Sequence, residues 1–128
     1  MRLNHLDLPV PDIAATRDFF ETWLGFRHER TLGQDGLSIL RDEGGLVLVL
    51  SRLQRNGAQA FPATFHIGFH LESEAAVSEL FEQLRTAGHA DGPPTHQRGA
   101  YSFYFVAPGE ILVEVAYRAP AGATSVTL

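Results

Sequence analysis

The sequence predicts an α+β fold built from two copies of one β-α-β-β-β module. Three observations predict it. Two histidine-headed stretches repeat across the chain, Asn4-His5-Leu6-Asp7-Leu8-Pro9-Val10 and Phe65-His66-Ile67-Gly68-Phe69-His70-Leu71. Each is followed by an amphipathic stretch that opens on a capping residue and closes on a glycine. Each half then ends in a short, largely apolar strand, Leu46-Val47-Leu48-Val49-Leu50 or Ile111-Leu112-Val113-Glu114-Val115. A period of about half the chain marks a duplicated unit, and repeats are weighed before local propensity. The expected organisation is one domain over residues 1–120. Its modules cover about 1–58 and 63–118 and together form a cupped mixed sheet, with a flexible tail at 119–128.

Leu3 to Val10 reads as the first strand. Leu6, Leu8 and Val10 share one face, and His5 and Asp7 share the other, because neighbouring strand side chains point to opposite sides. Pro9 and Pro11 end it. Asp12 is a good N-cap, and Ile13, Phe20, Trp23 and Leu24 follow at helical spacing until Gly25. Phe26 to Thr31 and Leu37 to Arg41 are the next strands. The turns are Gly33-Gln34-Asp35-Gly36 and Asp42-Glu43-Gly44-Gly45. Leu46 to Leu50 closes the first module. Ser51 to Thr64, with Asn56-Gly57 and Pro62, is the linker.

The second module follows the same plan. Ile67, Phe69 and Leu71 share one strand face, and His66, Gly68 and His70 the other. Ser73 caps a helix whose apolar face is Val77, Leu80, Phe81 and Leu84, and Gly88 ends it. Gly88 to Ala100 is a long polar loop with room for a short strand. Tyr101 to Val106 is an aromatic strand, Pro108-Gly109 a turn, and Ile111 to Tyr117 the last strand.

Composition narrows the function classes. The chain has 128 residues and a formal net charge of −5. That charge argues against nucleic acid, which needs a basic footprint, and against an anionic membrane surface. No apolar run approaches a membrane span, and Met1-Arg2-Leu3 opens no signal-peptide pattern. With no cysteine there is no disulfide, thiolate ligand or thiol nucleophile. All ten basic residues are arginine, which removes lysine from the catalytic groups. A cytoplasmic protein is the expectation.

Glu114 is the odd residue. Aligning the closing strands of the two modules sets Val49 opposite Glu114, a single carboxylate in an otherwise apolar strand. A buried carboxylate costs several kcal/mol unless an arginine or a metal pairs with it. His5 and His66 hold equivalent positions at the heads of the two repeats. If the three converge, two imidazoles and one carboxylate form a facial triad, which suits Fe(II), Mn(II) and related ions and leaves positions open for substrate.

These features resemble the vicinal-oxygen-chelate superfamily of glyoxalases, bleomycin-resistance proteins and extradiol dioxygenases. The resemblance spans roughly Leu3 to Tyr117. Its carriers are the two modules, His5, His66 and Glu114, the helix end Phe19-Phe20-Glu21-Thr22-Trp23-Leu24-Gly25-Phe26, and the opening His66-Ile67-Gly68-Phe69. It implies paired β-α-β-β-β modules and a homodimer in which ligands come from both chains. It also implies a divalent metal, Fe2+, Mn2+, Zn2+ or Ni2+, held by His5, His66 and Glu114.

Departures narrow the reading. Glyoxalase I uses a first-half glutamate where this chain has Val49, which argues against a standard glyoxalase I. The family turn Asp-Pro-Asp-Gly is Ala107-Pro108-Gly109-Glu110 here, although the spacing from Pro108 to Glu114 is kept. Ser102-Phe103-Tyr104-Phe105 resembles a strand of the fosfomycin thiol transferases, yet their substrate-binding lysine has no counterpart in a lysine-free chain. A threonine near their first histidine corresponds to Asp7.

His96, Phe103-Tyr104, Ala107-Pro108 and Glu114 resemble the extradiol dioxygenase signature in part, with Pro94 and Glu110 departing from it. By that resemblance His96 is an acid–base or oxyanion-stabilising group and Tyr104 a substrate hydrogen-bond donor. Asp7 shares a strand face with His5 and is expected to orient a ligand or substrate. Ser102 shares a face with Tyr104. His70 lies about 13 Å beyond His66 along an extended strand and is placed at the cavity rim. His28 and His89 read as solvated, and Phe20 and Trp23 as helix core.

The expected function is metal-dependent chemistry on a small molecule that chelates through vicinal oxygens, either extradiol-dioxygenase-like or lyase/thiol-transferase-like. The rival reading is a metal-free protein that sequesters an antibiotic or metabolite, as bleomycin-binding relatives do, with Trp23, Tyr101 and Tyr104 as stacking surfaces.

Overall fold

The computed structural model describes residues 1–53 and 61–120. The chain divides into two compact units, Met1–Ala63 with Ala107–Glu110, and Thr64–Val106 with Ile111–Leu128.

The first unit contains β1 (His5–Val10), α1 (Ile13–Trp23), β2 (Arg27–Leu32), β3 (Leu37–Arg41) and β4 (Val47–Arg52). Its sheet order is β1-β4-β3-β2. β1 runs parallel to β4, and the other neighbours are antiparallel. The parallel pair is made possible because the helix and two strands intervene between β1 and β4. α1 begins where Asp12 Oδ1 accepts from the Ala15 amide at 2.9 Å, satisfying an amide that the first helical turn leaves free. It ends before Gly25, whose φ of +75° suits glycine. Ile13, Phe19 and Phe20 are buried on α1, and Leu8, Val10, Leu40, Leu48 and Leu50 on the sheet. Burying such a side chain contributes about 1.5–3 kcal/mol, so this face dominates the unit's stability.

The second unit repeats the plan with β5 (His66–His70), α2 (Glu74–Thr86), β6 (Thr95–Gln97), β7 (Ala100–Ala107) and β8 (Ile111–Arg118). Its order is β5-β8-β7-β6, with β5 parallel to β8. Ser73 Oγ caps α2 by accepting from the Ala76 amide at 3.0 Å. Val77, Phe81 and Leu84 are buried, and the Phe81 ring meets Phe103 edge-on at 5.3 Å.

The duplication holds at the level of register. His5 pairs with Val47 and Asp7 with Val49 in the first unit; His66 pairs with Leu112 and Gly68 with Glu114 in the second. Val49 and Glu114 are therefore structural equivalents, as the alignment of the two closing strands predicts.

Several boundaries differ from expectation. β1 starts at His5 rather than Leu3. β2 starts at Arg27, because Phe26 is drawn into the core against Phe20 with ring centroids 5.6 Å apart. β4 runs on to Arg52, and the Leu53 amide still bonds Val10 O at 3.0 Å, so the start of the expected linker is strand. The rest of that linker includes residues 54–60, which lie outside the described residues, as do 121–128 of the expected tail. The polar loop after Gly88 does contain a short strand, β6, exposed along its length.

Candidate functional site

Alternation along β8 decides what the second sheet offers to each side. Ile111, Val113 and Val115 are fully buried, whereas Leu112 and Glu114 point the other way and stay partly open. On β5 the matching face carries His66, Gly68 and His70. On β7 it carries Ser102 and Tyr104, since Phe103 and Phe105 pack inward.

On this face three of the expected residues meet. His66 Nε2 lies 3.7 Å from Glu114 Oε1. The other ring nitrogen, Nδ1, is 3.0 Å from the Thr64 carbonyl oxygen. A carbonyl only accepts, so Nδ1 carries the proton and donates, and Nε2 is the ring nitrogen turned toward Glu114. The Tyr104 ring stands edge-on to His66 at 5.6 Å, and its hydroxyl hydrogen-bonds Glu114. Tyr104 titrates above the ordinary tyrosine value, first through desolvation and then through the bond to the Glu114 carboxylate. It is therefore a neutral hydrogen-bond donor at physiological pH.

Gly68 sits beside Glu114 on β5, and a Cβ there would meet Glu114 Oε1 at 3.7 Å. The absent side chain keeps the face next to the carboxylate open. Ser102 is 2 % exposed, and its hydroxyl has no partner among the described residues. An unmade bond of that kind costs about 1–3 kcal/mol. His70, opposite Ala116, lies two pairs further along the strand and is exposed.

In the first unit His5 heads β1 as His66 heads β5. Its Nδ1 is 3.2 Å from Asn4 Oδ1, so this ring too has Nδ1 engaged by an oxygen. Asp7 accepts from Ser51 Oγ at 2.5 Å across β1 and β4. Trp23 lies 6.5 Å from Phe19 on α1.

The structure does not bring His96 to the Tyr104 face. Its cross-strand partner on β6–β7 is Tyr101, which faces α2: the Tyr101 hydroxyl is 2.9 Å from Ser78 Oγ. His96 Nε2 lies 3.0 Å from Glu74 Oε2, and its ring packs at 4.7 Å on Tyr101. His96 lies on β6 rather than in a loop, and the dioxygenase-like resemblance says nothing about which side of that strand it takes. His28, read as solvated, is instead 2.7 Å from Thr31 Oγ1.

Two contributors escaped the sequence reading. Thr64 acts through its backbone carbonyl, which carries no side-chain signal. Glu74 sits 22 residues before His96, and only its place as the first acidic residue of a capped helix distinguishes it. Among the described residues, no group of three or more His, Asp or Glu side chains forms a metal cage by itself.

Residues 2–115 match the family described as the Glyoxalase/Bleomycin resistance protein/Dioxygenase superfamily. A possible glyoxalase from Bacillus cereus is 37% identical, with a TM-score of 0.80, over 90% of this chain and 97% of that one. An uncharacterized protein of Pseudomonas aeruginosa is 32% identical over 98% of this chain and 95% of its own length. The fosfomycin resistance protein FosX from Listeria monocytogenes shares the fold, with a TM-score of 0.75 at 22% identity over 93% of this chain and 94% of that one.

Proposed function

We propose that this chain, which belongs to the Glyoxalase/Bleomycin resistance protein/Dioxygenase superfamily, is a divalent-metal-dependent enzyme acting on a small oxygen-rich molecule. The single observation that carries the reading is His66: a tethered Nδ1, and an Nε2 facing a carboxylate 3.7 Å away. Metal-ligating histidines are characteristically oriented by such a hydrogen bond from the other ring nitrogen. The donor set fits a divalent ion, since imidazole and carboxylate together suit Fe(II), Mn(II), Zn(II) or Ni(II).

His66 and Glu114 would hold the ion with His5 of a partner copy as third ligand, in a homodimer. Bound there, the ion would supply Lewis-acid polarisation of a carbonyl, epoxide or catecholate oxygen.

The remaining roles belong to the chain. The neutral Tyr104 phenol donates a hydrogen bond to an oxygen that gains negative charge, and its raised pKa keeps the proton in place. Gly68 leaves the face beside Glu114 clear of a side chain. Ser102 and His70 flank the same face, and Asp7 does so on the equivalent face of the first unit. Val49 where Glu114 has its equivalent leaves one carboxylate ligand per chain, which favours an extradiol-dioxygenase-like, lyase or transferase reaction over that of glyoxalase I. A cytoplasmic location goes with this reading.

The test is the metal content of untagged protein, with His66→Ala alongside. Near-stoichiometric iron, manganese, zinc or nickel that the substitution removes supports the proposal, and the metal selects the assays. Iron points to catechols with oxygen, manganese to thiols with epoxides, and zinc or nickel to hemithioacetals. Protein that neither contains nor takes up metal overturns it in favour of a binding protein, to be screened with antibiotics by thermal shift.

A further inference from the structure

The face of the second sheet that packs on α2 holds a separate cleft of about 290 Å3, whose lining includes Tyr101, Tyr117, His96, Glu74, Gly99 and Ala100. Nothing in the proposed chemistry uses it. Tyr101, His96 and Tyr117 lie on the α2 side by strand alternation, away from Glu114 and Tyr104.

Its parts are held in place. The Tyr101 hydroxyl is fixed by Ser78 on α2, and its ring by the imidazole of His96. His96 is in turn held by Oε2 of Glu74, the first residue of α2. The hydrogen bond to His96 is made by Oε2, and the Glu74 side chain, which lines the cleft, is half exposed. Among the lining residues Glu74 carries the one carboxylate, and no arginine lines the cleft.

We infer that this cleft is a second small-molecule site, for an organic cation such as a methylated amine. Tyrosine rings attract a cation through their negative faces, and a carboxylate neutralises its charge. Two tyrosines and a carboxylate around a cavity of this size match an alkylammonium head better than an anion, which Glu74 repels, or a neutral apolar group, which gains nothing from Glu74. The site is independent of the metal and of His66.

The experiment is an NMR titration of the full chain with choline, and with its neutral isostere 3,3-dimethylbutan-1-ol. Choline should give saturable shifts at Gly99, Tyr101 and Tyr117 below about 50 mM, and the isostere none, the difference being the cation–π and charge contribution. Glu74→Gln and Tyr117→Leu should each weaken binding roughly tenfold, a size within the range of such contacts. Tyr117→Phe keeps the ring and should retain the affinity, which separates loss of the wall from loss of the fold. His66→Ala should leave it unchanged. Absence of saturable shifts, equal binding of the isostere, or loss of binding in His66→Ala with Glu74→Gln unaffected would each overturn the inference, whatever the metal content proves to be.

Discussion

His66 Nε2 lies 3.7 Å from Glu114 Oε1 while His66 Nδ1 is held by the Thr64 carbonyl at 3.0 Å. The pair sits on adjacent parallel strands, two residue pairs out of line, because Gly68 rather than His66 is the direct partner of Glu114. Local sequence thus sets the geometry twice. A glycine opposite the carboxylate keeps space, and a carbonyl just before the strand turns the imidazole toward it.

Glu114→Gln should therefore lower divalent-metal affinity by about a hundredfold or more, since the amide keeps the shape but loses the charge a hard cation needs. The Glu114 side chain is 24% exposed, so the metal-free fold should change by no more than about 1 kcal/mol. Chelator-competition titration and urea unfolding of the metal-free protein measure the two effects. Unchanged affinity would remove Glu114 from the ligand set.

In the metal-free protein, Tyr104 should titrate above the ordinary tyrosine range, first because it is desolvated and then because it bonds Glu114. Glu114→Gln should move it back toward that range in part, leaving the desolvation contribution. A folded-state value above the unfolded one means that this group's stabilisation is fully present below about pH 10 and is lost as pH rises through the folded value. Ultraviolet titration of tyrosinate, with Tyr104→Phe to assign the signal, checks both directions.

Much of this was legible in the sequence because period and punctuation carry it. Asp12, Gly25, Ser73 and Gly88 mark both helices, and each cap accepts the expected amide. The alternation in His5–Val10 and His66–His70 assigns the faces. The equivalence of Val49 and Glu114 follows from the repeat alone. What was not legible depends on partners distant in sequence. β6 has no apolar alternation, so nothing local says that His96 turns toward Glu74. The Thr64 carbonyl and the strand pairing at Ser51–Arg52 act through the backbone, which side-chain patterns do not report.

Gly109 offers a stability test in the turn before β8. Its φ is +94°, and a Cβ there would lie 2.7 Å from the Thr16 hydroxyl and 3.2 Å from Val10 Cγ1. Thr16 is buried and donates to Asp12 O at 2.7 Å, so it has little freedom to move. Gly109→Ala should cost about 2–3 kcal/mol, combining backbone strain with overpacking. Gly25→Ala, at φ +75° with nothing within 4 Å, should cost only about 1 kcal/mol. Equal losses in urea unfolding would show that strain alone matters and that the contact with Thr16 does not.

The two units also predict a coupling. Val49 pairs with Asp7 where Glu114 pairs with Gly68. Val49→Glu would set two carboxylates side by side on adjacent strands, one of them already bonded to Ser51. Like charges so placed repel by about 0.5–1 kcal/mol near a protein surface. Asp7→Gly should therefore be less costly in the Val49→Glu background than in the natural chain, by about that amount. A double-mutant cycle measured by urea unfolding at low and high salt isolates the pair, because the intrinsic cost of glycine in a strand cancels. The coupling should shrink with salt as the charges are screened. A coupling of zero at low salt would mean that the two side chains diverge. The glycine opposite Glu114 would then serve the ligand space of the second unit and not the relief of charge.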